Sequence, residues 1–514
     1  MRRIFSNTLI VMVATLASRV LGLLREVVIA ARFGTGEDYS AYVAAFKIPD
    51  MLFLVLSGGA LGSALIPVFA GMLGQGDKDK AWRLANAVVN DAFVALLISG
   101  IVAFVFAPYL VSWVVAPNFS PAQQELTTSL TRLLLLQPIM LGMGAIASSV
   151  LNGMERFLVP ALAPLFYNLS IILGALFLSQ SMGVYGLVAG VIGGAALYLL
   201  LQIPAMFRAG FRFKVGLDWQ AEGVRRVLTS LGPRLIGQAA LQINFIVITN
   251  LASGEPKTVS ALNYAFQLFM LPHGLFALSV AVVTFPAMAR LYGAGDLAGL
   301  KAKLVEGLRR IYFFALPATL GLGLLATPIV RSLFELGNFD KTSTQMVSYP
   351  LVFFSIGLVG YGVTEITTRT FYAMHNTIIP VFAAVITVLS NVALSIVLQR
   401  SLGHGGLALS LALTNTLEAL ILLYLIRRKL GALDTGNGLW LGMLKITLAG
   451  DLMGTFLLLA GWLLATPLTD LSKVPLILLT GAIIGVAGAI FGGAAYLLKI
   501  EELHSVTARF RRRA

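Results

Sequence analysis

Cysteine is absent from the 514 residues, which excludes disulfides, thiolate metal sites and thiol catalysis. Charge is also scarce. Asp, Glu, Lys and Arg make up 12% of the chain, against about 25% in a soluble globular protein. Histidine occurs at His273, His375, His404 and His504 only, without metal-ligand spacing. There is no HExxH, P-loop or Ser-centred nucleophile pattern. All the loops are short, with no room for the acids of a membrane glycosyltransferase or ligase. Enzymatic function is therefore not expected, and no catalytic or metal-binding residue is assigned.

What is present is apolar. Hydrophobic residues account for 58% of the chain, with 31 Phe and 51 Gly. A water-soluble core cannot absorb such a surplus, whereas packed membrane helices can. Apolar segments fall at about 7–33, 39–73, 82–107, 122–151, 159–179, 184–207, 224–252, 258–292, 304–326, 343–373, 378–398, 405–427, 439–465 and 475–498, each about one bilayer span or longer. The fold class expected is an all-α polytopic membrane protein with roughly 14 transmembrane helices. Met1-Arg2-Arg3 resembles the start of a signal peptide, but the apolar run continues through Arg19 and Arg25 into further spans, so cleavage is not expected.

The net charge of +14 sits in short gaps between apolar runs. Nucleic-acid binding would need a contiguous polar patch, so the basic residues are read as topogenic. With the N-terminus in the cytoplasm, the inside gaps hold Lys78, Lys80 and Arg83, then Arg156, then Arg208, Arg212, Lys214, Arg225 and Arg226, then Arg290, Lys301 and Lys303, then Arg427, Arg428 and Lys429. The tail adds Arg509 and Arg511 to Arg513, while the outside gaps hold only Lys257, Arg331, Lys341, Arg400 and Lys473. Both termini are therefore expected in the cytoplasm.

A repeat covers most of the chain. Pro67-Val-Phe-Ala-Gly-Met-Leu-Gly-Gln-Gly-Asp77 matches Pro286-Ala-Met-Ala-Arg-Leu-Tyr-Gly-Ala-Gly-Asp296 at an offset of 219. Downstream the offset is 220: Pro108 pairs with Pro328, Asn118-Phe119 with Asn338-Phe339, Met154 with Met374, and Gly183 with Gly403. Each unit holds six spans, an even number, so the repeat is parallel. In transporters built this way the substrate site commonly lies between the halves. The expected organisation is an N-lobe at 1–217, a C-lobe at 218–430, and two extra helices with a basic tail at 431–514.

Ionisable residues inside the spans are the candidate site. A charge at the bilayer centre costs about 2.5–3.5 kcal/mol on insertion scales, yet the first span carries Arg19, Arg25 and Glu26. Arginine's planar fork suits phosphate, which favours a cationic cavity for a phosphate-bearing substrate. The alternative is interhelical salt bridging to Asp50, Glu365 or Glu418. Gly22, between the arginines, would admit a neighbouring helix or a bend. Lys47 and Asp50 flank Pro49 in span two, either as a charged kink or as a local i,i+3 pair. Ser18, Arg234 and Gln267 complete the substrate candidates. Glu365 and Arg369 form an i,i+4 pair, for which a structural role is favoured. Glu418 is an isolated acid in span twelve and a proton or cation candidate, with Glu365 and Asn391 as further coupling-ion candidates.

At Ser18-Arg19-Val20-Leu21-Gly22, Arg25-Glu26, Phe33-Gly34, Ala44-Ala45-Phe46-Lys47-Ile48-Pro49, Pro67-Val68-Phe69 and Leu271-Pro272-His273-Gly274-Leu275, the chain resembles the MurJ/MviN family. These are the lipid II flippases of peptidoglycan synthesis, within the multidrug/oligosaccharidyl-lipid/polysaccharide exporter superfamily. The resemblance implies two six-helix lobes in a V shape, with two added helices forming a groove open to lipid. It implies movement of an undecaprenyl-pyrophosphate-linked disaccharide-pentapeptide between leaflets of the bacterial cytoplasmic membrane by alternating access. Arg19 and Arg25 fall on family arginines associated with function, and Glu26 on a family acid. The implied partners are that substrate, membrane lipids and the cell-wall synthesis machinery, with no nucleic acid, for a monomer. No cofactor is implied; the energy source is left open among sodium, protons and the membrane potential. The chain departs from the family at Ser40, often Asp, at Phe53, often Arg, and at Gln267, where many members carry Arg. Ile248 and Ser395 stand where some members have acids. Another polyprenyl-linked saccharide thus stays open as the substrate, as does a cation-coupled multidrug exporter as the activity. A non-transporting scaffold for cell-wall assembly is the reading from a different class.

Overall fold

The computed structural model of the chain describes residues 2–56, 59–434, 438–464 and 471–503; at 2–10, 55–63 and most of 228–241 it describes the backbone alone. Among the described residues every regular element is a helix. Lipid offers no hydrogen-bond partner, so apolar spans must satisfy their backbone groups within themselves.

Packing divides the chain into two compact units, Met1–Ser260 and Ala261–Ala514. The first holds α1 (Arg2–Phe33), α2 (Glu37–Ala45), α3 (Lys47–Leu56), α4 (Gly59–Gly74), α5 (Lys78–Tyr109), α6 (Pro121–Leu134), α7 (Leu136–Gly153), α8 (Leu158–Leu173), α9 (Ser179–Met182), α10 (Val184–Leu200), α11 (Ile203–Arg208) and α12 (Val224–Ala252). Its core joins Leu65 and Phe69 of α4, Leu84 of α5, Ile146 and Val150 of α7 and Val227 of α12. The lobe boundary expected from sequence is at residue 217, whereas packing divides the chain after Ser260, because α12 lies against α3 and α4. Ser40 and Ser260, separated by the repeat offset, are both fully buried and share a hydrogen bond of 3.1 Å.

The second unit holds α13 (Thr258–Pro272, entering from the first), α14 (Leu278–Gly293), α15 (Leu297–Leu324), α16 (Ala326–Phe334), α17 (Lys341–Ile356), α18 (Leu358–Ala373), α19 (Ile378–Leu430), α20 (Leu439–Leu463) and α21 (Lys473–Leu497). The two helices outside the repeat, α20 and α21, pack on α15 through Phe313, Ile446, Leu457, Ile483 and Phe491. A buried ion pair, Arg309 Nε to Glu502 Oε1 at 2.7 Å, ties the segment after α21 to α15.

Within the described residues every expected apolar segment falls on one, two or three consecutive helices, 39–73 on α2, α3 and α4. By length and hydropathy, eight described helices are able to cross a membrane, or up to ten if each bent pair is one span. That count takes α19 once, although it holds two segments and turns at a non-helical Gly403.

The duplication is visible in the backbone. Gly183 adopts φ 54°, ψ −134° and Gly403 adopts φ 53°, ψ −136°. Positive φ recurs at Gly76 and Gly295, and again at Glu155 and His375. Positive φ is uncommon outside glycine, so equivalent positions sharing it across diverged sequence reflect one inherited chain path.

Candidate substrate site

Arg25 lies on the face of α1 that packs against α8. Its guanidinium donates through Nη2 and Nε to Glu26 Oε1 at 2.6 and 3.2 Å, and through Nη1 to Asn168 Oδ1 at 3.0 Å. The Asn168 amide donates to the Pro164 carbonyl at 3.1 Å and to Ser18 Oγ at 3.5 Å. Glu26 is 6% exposed, and its Oε2 has no hydrogen-bond partner among the described residues. Ser18, Arg25 and Glu26 are thus brought together, with Asn168 as a fourth member. The salt bridges considered from sequence, to Asp50, Glu365 or Glu418, are not what Arg25 makes; its counter-charge is its own neighbour.

Arg19 is placed differently. It is exposed, on a stripe of α1 shared with Met12, Leu16 and Val20, and makes no ion pair or hydrogen bond among the described residues. Gly22 fulfils neither expectation set for it. α1 is continuous through it, and no heavy atom lies within 4 Å of where its Cβ would stand.

In the second span the chain breaks at Phe46, between α2 and α3, not at Pro49. Pro49 sits in the first turn of α3, where its missing N–H costs nothing. Lys47 and Asp50 do not close an i,i+3 ion pair; Lys47 Nζ stands over the Phe245 ring at 5.8 Å, within cation–π range. Asp50 lies within electrostatic range of both Lys47 and Arg25. Lys47 and Asp50 therefore belong to the same charged region of the first unit as the Arg25 cluster.

The second unit gathers its polar residues elsewhere. Glu365 pairs with Arg369 and also faces His273 Nε2 at 3.7 Å. His273 is 4% exposed and lies between the rings of Phe269 and Tyr361. Asn391 is fully engaged in a neutral knot. Its amide donates to Ser410 Oγ at 3.1 Å and Thr414 Oγ1 at 3.4 Å, while Ser395 lies 2.6 Å from Ser410. Glu418 is buried beside Thr387 and forms no ion pair among the described residues. Gln267 is half-buried, with no hydrogen bond among the described residues. The Arg234 side chain lies outside the described ones, as do Arg509 and Arg511 to Arg513.

Asn168 and His273 were not identified from sequence as site members. Asn168 is a lone amide in an apolar span, a usable signal; His273 sits in a π-helical turn at His273–Ala277, a form frequent at functional sites.

The described residues hold no metal-binding group of His, Cys, Asp and Glu. The family model described as lipid II flippase MurJ matches residues 29–478. The lipid II flippase MurJ of Burkholderia cenocepacia is 31% identical over 455 residues, 87% of each chain. A probable lipid II flippase MurJ of Rhizobium meliloti is 31% identical over 420 residues, 80% of this chain and 78% of that one. Among solved structures, a lipid II flippase MurJ in an inward closed conformation superposes with a TM-score of 0.75 at 26% identity, covering 94% of this chain and 98% of that one. An inward-facing MATE multidrug transporter shares the fold, with a TM-score of 0.68 at 17% identity over 82% of this chain and 96% of that one. This internally duplicated membrane protein, helical in every described regular element, with a half-buried and an exposed arginine on its first helix, belongs to the lipid II flippase MurJ family.

Proposed function

We propose that this chain moves lipid II from the inner to the outer leaflet of the bacterial cytoplasmic membrane by alternating access, as a transporter and not an enzyme, with both termini in the cytoplasm. The observation that carries this beyond family membership is the placement of Arg19. A cation without a partner among the described residues, on a helix read as a membrane span, is costly against lipid; its guanidinium therefore belongs in a hydrated space where a pyrophosphate is a fitting ligand, while Met12, Leu16 and Val20 beside it stay apolar. Lys47, with its charge unpaired by Asp50, supplies a second cation. Arg25 retains two guanidinium N–H donors beyond the three it uses, and it sets the shape of the site through Glu26 and Asn168. Of the coupling candidates, Glu418 is the buried acid that forms no ion pair among the described residues. Glu365 is matched by Arg369, and Asn391 is spent on hydroxyl partners. Proton coupling through Glu418 is the reading these contacts support; no cofactor is involved.

The test is complementation in a bacterium depleted of its own lipid II flippase, comparing wild type, Arg19→Ala and Glu418→Gln at matched membrane levels. Rescue by wild type with failure of Arg19→Ala supports lipid II translocation through a cationic site. A well-inserted wild type that does not rescue would point to another polyprenyl-linked saccharide, the reading favoured by the neutral Ser40 and Gln267. Full activity of Glu418→Gln would remove the proton-coupling part.

A further inference from the structure

The first unit contains a cavity of about 300 Å³ that the substrate site does not use. Phe93 of α5, Met143 of α7, Leu199 of α10 and Phe207 of α11 line it, and Phe213 from the 209–223 linker closes one side. The polar group in its wall is Asn90, and both hydrogens of the Asn90 amide are already given, to the Asn86 carbonyl at 2.9 Å and the Lys214 carbonyl at 2.8 Å. Apart from the Asn90 carbonyl oxygen the lining side chains are apolar, and apolar cavities of this kind favour hydrocarbon. Its size is at the lower end of ligand pockets, which run from about 300 Å³ upward, and fits one slender chain.

The mouth has the opposite character. Phe207 and Phe213 are each about half exposed. Next to them in sequence stand Arg208, Arg212 and Lys214, all exposed and none with an acidic partner among the described residues. The linker is held in place by its backbone, because Asn86 of α5 grips Arg212 O and Lys214 N at 3.0 and 2.9 Å. That leaves all three cationic side chains free. Further along, Trp219 is 70% exposed. Aromatic and basic side chains side by side are the composition of a membrane–water interface.

We infer that this cavity is a binding site for an anionic glycerophospholipid, with one acyl chain in the cavity and the phosphate at Arg208, Arg212 and Lys214. That the lipid belongs to the inner leaflet rests on the orientation proposed above; the site itself does not.

The full chain is reconstituted in phosphatidylcholine vesicles doped with phosphatidylglycerol bearing a diazirine on one acyl chain. It is irradiated, and adducts are mapped by peptide mass spectrometry. Adducts are expected on Phe93, Met143 and Phe213, displaced at least about tenfold better by unlabelled phosphatidylglycerol than by phosphatidylcholine. The triple variant R208Q/R212Q/K214Q loses that preference, about fivefold for each charge. Leu199→Trp, which fills the cavity, lowers these adducts while those on the rest of the apolar surface persist. Equal displacement by phosphatidylcholine, or adducts spread evenly over the apolar surface, would overturn the site. Displacement best achieved by undecaprenyl phosphate would reassign the cavity to the substrate tail. A chain that fails complementation yet keeps the phosphatidylglycerol-specific adducts would sink the flippase reading and leave this one standing.

Discussion

Replacing Glu26 by Gln tests whether the buried charge pair on α1 is a structural unit. The two side chains are 22% and 8% exposed, and two of the three hydrogen bonds of Arg25 end on one Glu26 oxygen. Glutamine keeps the shape and can still accept one hydrogen bond, but it removes the counter-charge. Breaking a buried pair from one side costs about 3–5 kcal/mol, because the remaining charge is left uncompensated. Replacing both partners by residues of similar volume, Arg25→Met with Glu26→Met, is expected to fall within about 1 kcal/mol of wild type, since no charge is stranded. Asn168 then keeps its contacts with Pro164 and Ser18. Equilibrium unfolding in mixed micelles reads the stability, and complementation at matched membrane levels reads the function. The expected pattern is an unstable single variant and a stable but inactive double variant. A single variant within about 1 kcal/mol of wild type would show that the pair is not desolvated. A double variant that complements would show that translocation does not need this guanidinium.

Other outcomes follow from particular contacts. Gly183→Ala meets no atom within 4 Å, so its cost is the backbone strain of φ 54°, about 1–3 kcal/mol, measured in the same unfolding assay. Arg309→Ala removes the guanidinium that bonds both oxygens of Glu502, a carboxylate 6% exposed. It should cost about 3–5 kcal/mol and raise protease cleavage after α21, whereas unchanged cleavage would deny the clamp. Asp218 accepts from Arg83 Nη2 at 3.0 Å, and that guanidinium holds its carboxyl below the usual range. The Arg83–Asp218 part of the linker's attachment to α5 is therefore in full force above the ordinary carboxylate pKa of about 4 and is lost as pH falls through the lower folded value, while the Asn86 and Asn90 hydrogen bonds remain. Protection of residues 211–223, taken relative to the intrinsic exchange rate at each pH, should fall on acidification in wild type and fall less in Asp218→Asn, where the Lys80–Glu222 pair is the carboxylate contact left to titrate.

The helices were legible because lipid leaves apolar runs one way to satisfy their backbones, and the duplication because proline and glycine keep their register when apolar residues drift. Gly183 and Gly403 show this: the match seen in sequence is the same unusual backbone angle in space. The polar contacts were less legible. Sequence placed Lys47 beside Asp50 but could not show that the aromatic face of Phe245, some two hundred positions away, takes the ammonium. Nor could it show that Asn168 reaches Arg25, since an amide in an apolar span reveals a need for a partner but not which one. Of the two readings open at Lys47-Ile48-Pro49-Asp50, a charged kink or an i,i+3 pair, neither falls at Pro49: the helix break is at Phe46, because proline in a first turn obstructs nothing.

The two arginines of the first span differ in a way that changes how their variants must be read. Six residues on a helix turn the side chain through about 120° from its starting direction, so when Arg25 is buried against α8, Arg19 is turned out of that contact. Arg19→Ala removes a charge that no described residue uses, and its effect on stability should stay within about 0.5 kcal/mol. Loss of complementation in that variant reports on substrate. Arg25→Ala strands the Glu26 carboxylate, whose second oxygen already lacks a partner among the described residues, so folding and transport fail together. Only Arg25→Met paired with Glu26→Met separates them. A first-span arginine that is inactive by alanine substitution is therefore evidence of a substrate contact at position 19, and at position 25 only when the acid beside it has been neutralised as well.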